Sequence, residues 1–571
     1  MSFFRFDAYI FVKQDLAFEG RLYVYGQLAA VIKKSSVLGL LFVSVCGFSQ
    51  DTENTEETAP DYSKYSGYVI EDVIISTVDV FDTSTETEFN PLFVLANRLH
   101  IDTKRGTVKT QLLLDSGDSF SVQKLEESER ILRRKPYLFD ATVVPVENDN
   151  GTLDLHVETR DNWTLVPEVK VSSTGGENES SFGVEEENFL GTGTRVNIRR
   201  DQDDDRTSSI FQISREDIGE HRLNAAYGYG DLSDGDFQLL RLQRPFFSLD
   251  TKWAAGSTAI FDDRIETLFS EGERGARYRD DQTFFTFFGG LSEGLVDGKT
   301  ERWILGYEFS ERNFETVATD GLVEVAPENR RFSYPFLRYQ RVQDSFLEAK
   351  NLNQIQQTED VSLGENYSFT VGYASEALDS DRNAWILAAD YRHAYGSPES
   401  FLVLFNHAAA TRVESGKLKN AVLSSRTEIF KRQSEKRLLF GSLSLHLGED
   451  LDLDNFSALG GDVGLRGYPR DFLNAETTAL LTVEQRFYTD YYPFRLLRVG
   501  AAIFADVARA WGEDAIGVRE DEVLANVGFG LRLGSTRSSS NRVFHVDIAF
   551  PLTANDNIDK VQIQFSGQRR F

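Results

Sequence analysis

The sequence has one cysteine, Cys46, and one methionine, Met1, in 571 residues. A single cysteine excludes an intramolecular disulfide framework and a zinc site built on several thiolates. Proline is also scarce, at 12 residues, which excludes long proline-rich linkers. Beyond Ser49 no run approaches the roughly 20 apolar residues that a membrane-spanning helix needs. Positive charge is short as well. Lys and Arg total 61 against 90 Asp and Glu, a formal net charge of −29, so the broad basic surface of a nucleic-acid binder is not expected. The 7 histidines are scattered without an HExxH pattern or a metal-ligand pair, and no metal or cofactor is expected.

Aromatic and turn-forming residues are plentiful, with 44 Phe, 21 Tyr and 43 Gly. That balance is β-rich, and a membrane β-barrel is one class that has it. At the N-terminus Lys33 and Lys34 precede a short apolar run ending near Val45, and Gly47 and Ser49 lie two apart. This is the pattern of a secretory signal peptide, expected to be cleaved near Ser49–Gln50. A buried helix fits less well because no amphipathic period is visible, and Val45 does not suit a lipoprotein signal at Cys46. Residues 1–49 are therefore expected to be an upstream extension and signal peptide, and 50–67 an acidic linker.

Residues 68–162 read as a small α/β module. Tyr68–Ile75 is a strand candidate, Phe89–Leu99 a short helix, and Val108–Leu114 a second extended run. Ser121 is placed to cap a helix with Val122, Leu125, Ile131 and Leu132 near one stripe, closed by Pro136. Thr142–Glu147 and Thr152–Glu158 follow as a hairpin around Asn148–Gly151. This order, with LLLDSGDSFSVQKLEESERILRRKPYLFDATV and GTLDLHVETRDNWTL, resembles a POTRA domain. An unrelated ferredoxin-like domain is the alternative.

From residue 163 to 571 alternation of period two recurs. Leu481 and Val483 oppose Thr482 and Glu484, and Val527, Phe529 and Leu531 oppose Gly528, Gly530 and Arg532. The segments run about ten residues, long enough to cross a bilayer as tilted strands. Such strands must close on themselves, because an open edge would leave backbone groups unpaired in lipid. About twenty strand-like segments are present. Ala501, Ile503, Ala505 and Val507 would face lipid, and Phe504, Asp506, Glu484 and Arg486 the lumen.

Three local patterns carry a second resemblance. Glu187-Asn-Phe-Leu-Gly-Thr-Gly193 is similar to the turn after the second barrel strand of BamA/TamA-like outer-membrane proteins (the bacterial surface antigen type), and Arg244-Pro-Phe-Phe247 to a later strand-to-turn element. Gly464-Leu-Arg466-Gly467-Tyr468-Pro469 resembles the tip of the long loop that folds back into their barrel, here 448–476. The paired wall motif is Phe504-Ala-Asp506-Val-Ala508, with Ala508 in place of glycine and Leu465 in place of the usual valine. The resemblance implies a mainly β protein, with one periplasmic POTRA domain ahead of an antiparallel barrel of about 16 strands, so that segments near its start should merge or lie in loops. It also implies a loop lock of Arg466, Gly467 and Tyr468 against Phe504, Asp506 and Glu484. The alternative for Gly464–Pro469 is a plain turn with an exposed arginine.

Other patterns fail as chemistry. Gly290-Leu-Ser292-Glu-Gly294 imitates a nucleophile elbow but follows a barrel-like segment, and is expected to be a loop. Gly294, Gly298, Lys299 and Thr300 fall one residue short of a phosphate-binding loop. Asp450, Asp452 and Asp454 imitate a calcium loop but lack its glycine and glutamate, and a solvated acidic loop is expected. No catalysed reaction is expected. The resemblance implies a factor of the bacterial outer membrane that inserts polypeptides into that membrane or moves them across it. Its partners would be outer-membrane lipid, unfolded clients and periplasmic accessory proteins. A two-partner secretion transporter and a passive porin are the alternatives.

Overall fold

The computed structural model describes residues 61–569 apart from 84–89, 175–176, 204, 271, 514, 540–541 and 554–557. The expected signal peptide and most of the acidic linker lie outside the described residues.

The N-terminal module contains β1 (Ile70–Val78), helices α1 (Pro91–Leu99), α2 (Arg105–Lys109) and α3 (Val122–Arg133), then β2 (Leu138–Glu147) and β3 (Leu153–Asp161). Strand β3 is central, parallel to β1 and antiparallel to β2. Alternation fixes its burial: Leu153, Leu155 and Val157 are inside, with His156 and Glu158 outside. They pack with Leu125 and Leu132 of α3 and with Val143 of β2. Ser121 caps α3, accepting a hydrogen bond from the Lys124 amide at 3.4 Å. The extended run expected at Val108–Leu114 is instead a helical turn, α2, and its exit. Val108 and Leu112 are both buried, and their spacing of four suits a helix as well as a short strand.

Strand β2 is an edge whose outward donors are already used. Asp140 Oδ1 accepts from the Ala141 amide at 2.9 Å and Glu129 Oε1 from the Val143 amide at 2.7 Å. Pro145 has no amide hydrogen, so little remains for another strand to pair with. Strand β1 forms the other edge of the sheet.

The remainder forms a closed antiparallel barrel running from Leu165–Thr174 to Gln562–Arg569, which lie side by side. It has 20 strands rather than about sixteen. The early segments expected to merge each form their own hairpin arm, at Glu177–Phe189, Thr194–Gln202, Thr207–Ile218, Leu223–Leu232 and Gly235–Arg244. Gly290–Gly294, expected as a loop, lies in the strand Glu273–Val296, where Ser292 Oγ sits 3.1 Å from Thr300 Oγ1. Leu481, Val483, Ile503, Val527, Phe529 and Leu531 are exposed on the outer face, whereas Glu484, Phe504 and Asp506 are buried within. An apolar exterior around a charged interior is the surface of a barrel solvated by lipid.

The module sits against one rim, here the near rim. Arg130 reaches Asp344 at 3.2 Å, Arg133 reaches Asp360 at 2.6 Å, and Lys135 reaches Glu216 and Asp217 at 2.8 and 2.9 Å. Glu127 Oε1 accepts from the Leu249 amide at 2.7 Å. Between module and rim lies a cavity of about 1160 Å³ lined by Arg134, Arg215, Arg241 and Arg302 among others.

Burial pushes the Glu129 carboxyl up to about 7, against the opposing effects of the Val143 amide and Arg133. The folded module therefore holds this proton more tightly than the unfolded chain does. The contribution of this group to stability is fully present below the ordinary glutamate value and is lost as pH rises towards neutrality, by about 3 kcal/mol at most. Hydrogen exchange at β2 amides in the intact protein, corrected for intrinsic rates, should accelerate between pH 5 and pH 7.5 on the order of tens-fold or more. The change should be largely absent in Glu129→Gln.

Candidate functional site

The loop between the strands Arg437–Glu449 and Thr477–Tyr488 turns into the lumen instead of standing above the barrel. A short hairpin, Ser457–Leu459 with Leu473–Ala475, brings its two limbs together. The tip is seated by a buried apolar cluster that includes Leu465, Tyr468, Phe472, Leu480, Ala508 and Leu524. Both departures from the family wording, Leu465 and Ala508, fall in this cluster and are fully buried. They fill the seat rather than loosen it.

Below the seat, Arg466 meets the wall. Its Nε and Nη2 donate to Asp506 Oδ2 and Oδ1 at 2.9 and 2.8 Å, a bidentate pair, and Nη1 donates to Glu484 Oε2 at 2.9 Å. The guanidinium lies 3.3 Å from the centroid of the Phe504 ring. Gly467 donates its amide to Asn526 Oδ1 at 3.1 Å, and the single Tyr468 hydroxyl proton is shared between the carbonyls of Ala525 and Thr553, each 3.0 Å from the oxygen. A Cβ at Gly467 would lie 2.5 Å from that of Asn526, so the backbone approach requires glycine here. All six expected lock residues thus converge on one place.

Several members were not anticipated. Asp547 Oδ2 lies 3.5 Å from Arg466 Nη1, and Arg532 joins Asp547 and Glu484 at 2.5 and 3.0 Å. Arg486 donates to Glu484 Oε1 at 2.9 Å. Asn526 and Thr482 donate to Asp506 at 2.8 and 2.9 Å. Arg466, Arg486 and Arg532 therefore balance Glu484, Asp506 and Asp547, which makes burial of six charges tolerable. Alternation opposes Arg532 to Phe529 and Leu531, and likewise Asp547 to Val546 and Ile548, which gives both an inward parity. Their pairing depends on the stagger between strands, which alternation does not give.

Two further contacts complete the arrangement. The acidic stretch expected to be solvated is instead clamped to the wall. Arg412 grips Asp452 at 2.6 and 2.9 Å, and Asp454 accepts from Arg330 at 2.6 Å and from Arg312. From the near rim, a hairpin of Phe346–Lys350 and Thr358–Ser362 carries a tip with Leu352 and Ile355 buried. Glu359 ties that tip by accepting amides of Leu352, Asn353 and Gln354 at 2.9 to 3.1 Å. Arg486 Nη1 donates to the Leu352 carbonyl at 2.5 Å. Contacts thus run from the module through Asp360, the hairpin, Arg486 and Glu484 to Arg466. At the junction of module and barrel, His100 Nε2 lies 3.1 Å from Asp161 Oδ2, a pairing that sequence spacing did not reveal.

The fold and site define a closed transmembrane barrel filled from both mouths, with its long loop locked inside. No protein-family model and no curated protein matches the sequence. Solved structures with similarity include BamA from Haemophilus ducreyi lacking POTRA domains 1–3, at 11% identity over 87% of this chain and 84% of that one, with a TM-score of 0.36. CdiB from Acinetobacter baumannii is 12% identical over 88% and 73%, with a TM-score of 0.43. CdiB from Escherichia coli is 10% identical over 90% and 92%, with a TM-score of 0.36.

Arg466→Ala leaves the lumen with one unbalanced negative charge and should cost on the order of 3–5 kcal/mol. In a double-mutant cycle with Asp506→Ala, unfolding in denaturant should give a coupling of about 1–3 kcal/mol, because Asn526 and Thr482 still hold the carboxylate. Simple additivity would mean that the pair is not locked. Leu465→Val, nearly silent if the tip were a loose turn, should cost about 1 kcal/mol because the side chain is buried.

Proposed function

We propose that this protein is a translocation or assembly factor of the bacterial outer membrane, which helps polypeptides insert into that membrane or cross it without catalysing a reaction. The observation that carries the reading is the paired obstruction of the lumen. A passive pore has no need of a charge-balanced lock at its centre, nor of an α/β module tied to its mouth by Arg130, Arg133 and Lys135. Both features suit a gated path for a chain. In this reading the module is a POTRA domain on the periplasmic side, the lock holds the resting state, and client segments add to a free sheet edge.

The two edges of the module are not equivalent. The Ala141 and Val143 amides of β2 are taken and Pro145 has none, whereas β1 is paired on its outer side only at Ile70, by the backbone of Gly117 and Asp118, so client strands should pair with β1 further along, where Ile74 is exposed. A dedicated secretion transporter shares the same machinery, and only the identity of the cargo separates the two.

Purified protein in liposomes should speed the folding of a urea-unfolded outer-membrane barrel, followed by heat-modifiability on gels. A photo-crosslinking residue at Ile74 should capture that client, whereas one at Val144 on β2 should not. Equal folding rates with and without the protein would overturn the assembly role. Capture at Val144 alone would overturn the choice of edge.

A further inference from the structure

Helix α1 contributes nothing to the core of its own module: none of its residues is buried. Leu92, Leu95 and Leu99 fall on one stripe, and they are 70%, 51% and 65% exposed. Ile101, just beyond the helix, is 53% exposed. The opposite stripe fastens the helix. Phe93 stacks on Phe81 with ring centroids 4.1 Å apart, and the Asn97 side chain accepts from the Phe81 amide at 3.1 Å and donates to its carbonyl at 2.7 Å.

Both ends of this unit are tied to the barrel. On one side Arg537, in the turn after Ser535, donates to the Val80 carbonyl at 2.7 Å. On the other, the Lys104 amide donates to the Gly191 carbonyl at 3.0 Å, and Asn188 Nδ2 donates to Thr103 Oγ1 at 2.8 Å. These turns follow the strands Arg519–Ser535, third from the last, and Glu177–Phe189, the second, which lie on either side of the closure between the last strand and the first. Helix α1 is therefore held at the near rim beside that closure.

We infer that α1 is an interfacial helix whose leucine stripe lies in the lipid leaflet on the module side of the membrane. The inference rests on the barrel being embedded in lipid. At the same rim Leu165, Phe189 and Leu190 are exposed, so the lipid-facing surface of the barrel continues towards the stripe. Charge points to the same occupant. In a chain of net charge −29, the exposed charged residues between Asn90 and Arg105 are Arg98 and Arg105 against Asp102, with Lys104 turned to the cavity between module and rim. Such cations at the edge of an apolar stripe suit lipid phosphates. With nine residues α1 is too short to span the bilayer and fits lying in its plane.

The test uses the full chain in a Cys46→Ser background, reconstituted in phosphatidylethanolamine–phosphatidylglycerol vesicles. A fluorophore is placed at Leu95→Cys or Leu99→Cys, with Phe529→Cys on the outer barrel wall as the lipid reference and Glu126→Cys on α3 as the aqueous one. Quenching by nitroxide-labelled lipid at positions 95 and 99 should come within a factor of about two of position 529, with iodide effective only at 126. Iodide quenching at 95 and 99 would overturn the inference. Protection from both quenchers would also overturn it, since protein would then cover the stripe. If position 529 itself escapes lipid quenching, the membrane-embedded reading fails first, which separates the two failures. Heat-modifiability of each labelled variant reports whether its barrel has folded.

Discussion

Charge neutrality inside the barrel is the constraint on which the other features depend. Three acidic and three basic side chains occupy a space from which lipid excludes bulk water laterally, and each is held by partners of the opposite type. Remove Arg466 and an acid is stranded; remove Asp506 and a guanidinium is left to Glu484 and Asp547. The loop is therefore retained by electrostatics as well as by packing. Its apolar seat around Leu465 and Tyr468 sets the depth at which the arginine can reach the wall. Gly467 permits the closest approach, and Phe504 offers its ring face to the cation, where the quadrupole of the ring attracts charge.

The lock is not isolated from the module. Glu484 accepts from both Arg466 and Arg486, and Arg486 holds the carbonyl of Leu352 at the tip of the near-rim hairpin. Asp360 on that hairpin is the partner of Arg133. Discrete, directional contacts thus form an unbroken series from α3 to the lock.

Much of this was legible beforehand because period-two alternation is a strong signal over ten residues. It placed Glu484, Phe504 and Asp506 inside and Ile503 and Val507 outside, and the local wording around Arg466 supplied the partner. What escaped has physical reasons. Val108 and Leu112 are four apart in a short apolar run, so period could not separate helix from strand. The count of about twenty segments was sound, and the expectation of sixteen strands came from resemblance rather than from residues. The near-rim hairpin is built from two five-residue strands with sequences FLEAK and TEDVS, too short for any period to declare itself. The acidic run Asp450–Asp454 looked solvated because its partners, Arg312, Arg330 and Arg412, lie far away in sequence.

The strand number has a consequence for permeability. Barrel diameter grows roughly in proportion to the number of strands, so a wall of 20 strands encloses a cross-section about half again as large as one of sixteen. An unobstructed opening of that size would pass small solutes and destroy the barrier that a membrane exists to provide. One inward loop does not cover such a section, and here the hairpin at 346–362 and the module share the task from the opposite mouth. The long loop enters from one mouth, the hairpin from the other, and the module is tied to the rim beside that hairpin, so the obstructions stand in series along the axis. The wide wall and the crowded interior are then two sides of the same requirement: a section this broad keeps its barrier only if it is filled.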